Sequence, residues 1–247
     1  MIISYFEEFP DYKSLSKIKS ITTPTKLYIA ARSLAEFNQL KTQIRSKNVR
    51  EIIYWPILEK KEGYWISPFS HHTALKRILD ELNGQTISVM LDLELPTTRN
   101  PWLFLTQFPF FYSNKLRISN FIDTYNGKLY LCEYYGQRSI HKKIFRILGL
   151  HYYAPHAYII KMYYQSIHQF SHQFLEDQIK RGKHTWGNNF ILALGTIAKG
   201  IHGTEPRLTP EELAKNLNEA KRHDIEEVII FRLGGIDEEY NKVLNAI

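Results

Sequence analysis

Short runs of apolar and β-branched residues alternate along this chain with longer stretches in which apolar residues return every three to four positions. The clearest short run is Thr86–Pro96, TISVMLDLELP. Ile87, Val89, Leu91, Leu93 and Leu95 fall on one face of an extended strand; Ser88, Met90, Asp92 and Glu94 fall on the other, because strand side chains alternate with period two. An unbroken apolar face fits a strand covered by helices, as in a parallel sheet. The same pattern predicts eight strands: Ile2–Phe6, Lys26–Ala31, Glu51–Leu58, Thr86–Pro96, Lys128–Tyr134, Ala157–Tyr164, Asn189–Gly195 and Glu227–Leu233.

Each predicted strand is followed by a helical stretch. Ser33 with Glu36 has capping-box spacing, and Thr209-Pro210-Glu211-Glu212 opens a helix with a cap, a proline in the first turn and acids on the dipole. Helices are also expected near His72–Leu82, Ser139–Leu148 and Ser171–Arg181, whereas Pro101–Tyr125 is expected to begin as an irregular, aromatic-rich loop. Nothing in composition divides the 247 residues, so a single (β/α)₈ barrel domain is the simplest topology. A doubly wound open sheet is the competitor, but it needs fewer strands and often a Gly-rich first turn, which this chain does not have.

The formal charge of +7 raises nucleic acid as a partner. The basic residues are nevertheless spread over many segments, and the denser groups, Arg138–Arg146 and Lys180–Lys183, fall where solvated helix faces are expected. One cysteine, Cys132, excludes an internal disulfide and fits a reducing compartment. MIISYFEEFP has no basic leader, and no run approaches the length of a membrane span, so a cytoplasmic protein without membrane contact is expected.

In such a barrel, chemistry sits where the strands end. Asp92 and Glu94 would lie about 7 Å apart at Cα and raise each other's proton affinity, which keeps one acid protonated near neutrality. Other strand ends supply Tyr5 and Glu7, Trp55 and Glu59 with Trp65 beyond, Glu133 and Tyr135, Tyr163, Tyr164 and Gln165, then His202 and Arg232. Aromatic faces stack on sugar rings while acids and tyrosines bond hydroxyls, so a carbohydrate or other small polar ligand is the expected partner. The tryptophans Trp55, Trp65 and Trp102 could equally just cover the barrel top. Asp92 and Glu94 could equally pair with Arg232 or Lys161, and Glu133 could be either a third acid or a partner of Arg232.

Three of these motifs resemble the chitinase-type glycoside hydrolases of family eighteen. Tyr5-Phe6-Glu7-Glu8-Phe9 resembles that family's first-strand motif, Asp92-Leu93-Glu94 the end of its strand-four D-x-x-D-x-D-x-E, and Met162-Tyr163-Tyr164-Gln165 its strand-six M-x-Y-D. Ile87 and Met90 stand where the family has its earlier aspartates. The resemblance implies a barrel in which Glu94 is the general acid, Asp92 orients an N-acetyl substituent, and Tyr164 bonds the intermediate of a substrate-assisted reaction.

Other chemistry has less support. His168 and His172 are four apart without the acid of H-E-x-x-H, and most of the ten histidines read as helix-surface or capping residues, so no metal is expected. An Asp92/Glu94/Glu133/His202 set for Mg²⁺ or Mn²⁺ is the alternative, in a metal- or phosphate-dependent phosphodiesterase or isomerase. A barrel that binds sugar without chemistry is a third reading. Gly200–Glu205 fits a phosphate loop or a flexible lid equally well. Cys132 should point outward into the helix layer as a small core thiol. Serine-hydrolase, P-loop and dinucleotide signatures are absent, and no cofactor is expected. Oligomeric state is not encoded in any motif.

Overall fold

The computed structural model describes residues 1–97, 101–134, 139–168 and 170–247, without the side chains of residues 139, 140 and 142. Eight parallel strands form a closed barrel in chain order, a (β/α)₈ fold. The strands are β1 (Ile2–Glu7), β2 (Thr25–Ala31), β3 (Val49–Pro56), β4 (Val89–Leu93), β5 (Leu129–Tyr134), β6 (Tyr158–Tyr163), β7 (Phe190–Gly195) and β8 (Glu227–Phe231). Between β1 and β4 run α1 (Tyr12–Ser16), α2 (Leu34–Gln43) and α3 (His72–Leu82). Then come α4 (Trp102–Gln107), α5 (Phe111–Thr124), α6 (Ser139–Leu148), α7 (His172–Trp186), α8 (Pro210–Arg222) and α9 (Glu238–Ala246). Among the described residues, no helix is long and apolar enough to cross a membrane.

Local chemistry accounts for most of the element ends. Thr209 and Glu212 form the expected capping box, Thr209 Oγ1 accepting from Glu212 N at 3.2 Å and Glu212 Oε2 from Thr209 N at 2.8 Å. Ser33 Oγ accepts from Glu36 N, whereas the Glu36 carboxylate reaches back one residue further, to Arg32 N. β4 is shorter than its apolar run predicts. It ends at Leu93, so Glu94 lies just beyond the strand. Pro101–Tyr125 departs from its expectation most, since α4 begins at Trp102 and α5 follows. Trp102, Leu105, Phe108 and Tyr112 are largely exposed, so large apolar side chains occupy the solvent face of these helices and obscure the helical stripe.

The chain divides into two compact units. One comprises Met1–Ala30, Gln39–Ile53 and Ile159–Ile247; the other comprises Ala31–Asn38 and Tyr54–Tyr158. In the first, α7 packs on β7 through Gly182. A Cβ built there would lie 2.3 Å from the ring of Phe190, which is buried and stacked on Trp186. Gly182→Ala is therefore expected to destabilise by about 1–2 kcal/mol, overpacking outweighing the gain in helix propensity. Calorimetry checks it: a melting temperature at or above wild type would mean that the ring yields freely.

Candidate functional site

Which face of each strand meets the helices decides what its end can do. In the second unit, Tyr54 of β3 stacks on Phe37 of α2, ring centroids 4.9 Å apart, so that face of β3 lies under helix. Tyr54 pairs with Val89, Val89 with Leu129, and Leu93 with Glu133, which puts these residues on the helix-facing side. Trp55, Met90, Asp92 and Cys132 occupy the opposite face, with Asp92 and Cys132 in register. Asp92 therefore has the orientation its parity predicts. Cys132 does not: it shares Asp92's face, and Glu133 is the residue turned outward.

On that inner face, Asp92 is 3 % exposed and Met90 fully buried. Glu94, half-buried just past β4, accepts a 2.6 Å hydrogen bond from the Tyr134 hydroxyl at the end of β5. Burial pushes the Glu94 carboxyl up to about 7, the Tyr134 bond opposing it. Burial, followed by the charge of Glu94, pushes the Tyr134 phenol far up in turn, so it remains a donor. The arrangement presents a carboxyl that exchanges a proton near neutrality beside a second, buried acid. Trp55, on the same face of β3, stacks on Trp65 at 5.9 Å with nearly parallel rings. The main chain ties this segment to the acids, since Ile66 N donates to the Asp92 carbonyl at 3.0 Å.

Several expected site residues lie elsewhere. Glu133 accepts from His151 Nδ1 at 2.8 Å and from Tyr152 N at 3.3 Å in the helix-side layer. That placement removes it from the Asp92/Glu94/Glu133/His202 metal set. Glu59 caps the 3₁₀ turn Lys60–Glu62 and pairs with Lys61, and Trp102 stands exposed on α4. Tyr135 lies outside the described residues.

In the first unit, Lys161 of β6 sits over the Trp186 ring of α7, and the Tyr163 hydroxyl donates to Gln178 of α7. These two mark the helix-facing side. Register then carries it through Leu192 and Val228 to Ile230, which pairs with Tyr5. Tyr5, Glu7, Tyr163 and Lys161 are thus on the helix side of their strands. Glu7 is bound to Arg232 at 2.7 Å and to the backbone N–H groups of Phe9 and Gly234. Glu7 and Arg232 thus bond each other, and Tyr163 bonds α7, while Tyr5 is buried on the same side of β1 as Glu7. Tyr164 follows the other parity, its ring 5.8 Å from Phe231. Gln165 bonds the Phe170 carbonyl, and His202, exposed, donates its backbone N–H to Glu205. Glu8, not expected from the sequence, shares a face with Ser4 and Phe6 and lies with Glu205 against Gly200: a Cβ there would be 3.1 Å from a carboxylate oxygen of each.

The expected errors of face have one cause. Parallel strands are apolar on both sides, so hydropathy fixes alternation but not which parity meets the helices. Tyr134, the residue that bonds Glu94, was legible only through the pairing of Asp92 with Cys132. Among the described residues, one trio of acids and histidine has ligand atoms within 4.8 Å of one another: Glu176, Glu219 and His223. Glu176 is on α7, Glu219 on α8 and His223 just past its end, with Lys180 and Arg222 already paired to the carboxylates.

No protein-family model matches the sequence, and no curated protein does. Solved structures match the fold. The PgaB (BpsB) glycoside hydrolase domain from Bordetella bronchiseptica superposes with a TM-score of 0.54 at 9% identity, over 93% of each chain. A D-tagatose 3-epimerase-like protein gives 0.54 at 13% identity, over 100% of this chain and 95% of its own. The 3-keto-D-glucoside 4-epimerase YcjR from E. coli gives 0.52 at 13% identity, over 100% and 98%. At these identities the likeness is one of fold.

Proposed function

We propose that the protein is a sugar-processing barrel enzyme, a glycosidase-like hydrolase of a glycan or sugar conjugate with Glu94 as its proton donor. The observation that carries this reading is the half-buried Glu94 carboxyl, raised to about 7 and held by Tyr134 at 2.6 Å, at the end of β4. A general acid works best when its pKa lies near the operating pH, because it is then protonated yet readily releases its proton. In the proposed reaction Glu94 protonates the glycosidic oxygen as the substrate's N-acetyl carbonyl oxygen bonds the anomeric carbon and the glycosidic bond breaks, then as carboxylate takes a proton from the water that opens this intermediate. Asp92, two residues earlier on the same face, has the place of the group that orients an N-acetyl substituent in the resembled family. The fold's occurrence in a glycoside hydrolase domain and in sugar epimerases supports the substrate class without fixing the reaction.

Hydrolysis of a panel of umbelliferyl glycosides tests this. Release from the N-acetylglucosaminide exceeding that from the glucoside is expected; no release from any member by folded protein would sink the reading. The pH profile adds a second check. Activity should fall as pH rises through about 7 and Glu94 loses its proton. Tyr134 stabilises the charged carboxylate, so Tyr134→Phe raises Glu94 further and should move the alkaline limb up by about one pH unit. A limb that stays in place would assign the proton to another group.

A further inference from the structure

Residues of α5, Arg146 of α6 and the chain that follows α6 border an open cavity of about 560 Å³, and Glu94 is not among its lining residues. That is within the range of small-molecule sites. Its walls carry three basic side chains, Lys115, Arg146 and His151, against one acid, Asp123. Tyr112 and Tyr153 also line it and are 70% and 79% exposed. Single exposed aromatics are ordinary, but two of them bordering a basic concavity offer faces to a ring.

Behind this wall stands Glu133, completely buried on the helix side of β5. A carboxylate buried there is costly unless it is bonded. It accepts from His151 Nδ1, which fixes the imidazole and leaves Nε2 as an acceptor for a ligand hydroxyl. Lys115 uses one N–H on the Ile147 carbonyl at 3.0 Å, and an ammonium group has three donors. Ser119 and Asp123 add groups suited to ring hydroxyls.

We propose that this cavity binds an anionic sugar, a sugar phosphate or a uronate, with its charged group on Lys115 and Arg146, a hydroxyl on His151 Nε2 and its ring against Tyr112 and Tyr153. The site is separate from Glu94 and does not depend on the hydrolase reading. Calorimetric titration of the full chain with glucose 6-phosphate, glucuronate, glucose and inorganic phosphate tests it. At least one of the two anionic sugars should bind more tightly than both glucose and phosphate, and which one does so identifies the anion. Lys115→Met/Arg146→Met should weaken that binding about tenfold or more, and Tyr153→Ala should weaken it by a smaller factor. Glu94→Gln should bind as wild type does. The proposal is overturned if neither anionic sugar binds, if phosphate or glucose alone binds as tightly, if the double variant is unaffected, or if Glu94→Gln abolishes binding.

Discussion

Glu94→Gln is expected to lower kcat for glycoside cleavage by about 10²–10⁴-fold, the share a general acid contributes, without lowering the melting temperature. Both halves of that result follow from one geometry. The amide keeps the Tyr134 hydrogen bond but has no proton to give to a leaving oxygen. Burial already disfavours the charged form, so the neutral isostere removes a strain and not a support. The sign is explicit. A folded-state value above the unfolded one means that the native protein holds more protons between about 4.5 and 7, so the contribution of Glu94 to stability is present in acid and lost as pH rises through about 7. Wild type should thus lose on the order of 2 kcal/mol across that window at this half-buried group, solvent screening included. Glu94→Gln should lose less, and at pH 8 it should melt at or above wild type. A variant that unfolds at every pH would identify Glu94 as a structural carboxylate, and one that keeps full activity would remove it from the reaction.

Arg232→Met is expected to cost about 3 kcal/mol near pH 8. Glu7 is completely buried, and Arg232 meets it at 2.7 Å while also donating to the Lys199 carbonyl and lying 4.9 Å from the centre of the Phe9 ring. Burial raises the Glu7 carboxyl, and Arg232 is the largest influence holding it down. Without the guanidinium the carboxyl rises further, and the native state then pays for ionising it as the solution becomes alkaline. The deficit should accordingly be largest at pH 8 and shrink toward pH 5. Glu7→Gln in the same chain should recover part of it, because the buried charge has gone. Urea unfolding at both pH values measures this. A deficit independent of pH would mean that Arg232 acts through its packing on Phe9 alone.

The barrel itself was readable because eight apolar runs, each followed by an amphipathic stretch, admit few topologies. Asp92 and Glu94 were readable as candidates because two carboxylates stand out on the otherwise apolar TISVMLDLELP run. The partners were not. Tyr134 belongs to KLYLCEY, where Tyr130, Cys132 and Tyr134 are compatible with burial as Leu129 and Leu131 are, so only the Asp92–Cys132 register separates the two sets. Cys132 and Glu133 exchange their expected faces for the same reason, since a single residue of slip exchanges the two faces of a strand. Arg232 and Glu133 look like binding residues in a sequence because charge at a strand end is rare, yet an ion pair or a histidine support meets the same description.

The two faces of β5 also set out how this protein would be re-engineered. Alternate codons along that strand answer to different tasks: varying Tyr130, Cys132 and Tyr134 would retune the surroundings of the β4 acids, while varying Leu129, Leu131 and Glu133 would alter the seat of the outer helices and of His151. A saturation library confined to the first set would sample surroundings of Asp92 and Glu94 on a constant scaffold, and one confined to the second would sample scaffolds around constant surroundings.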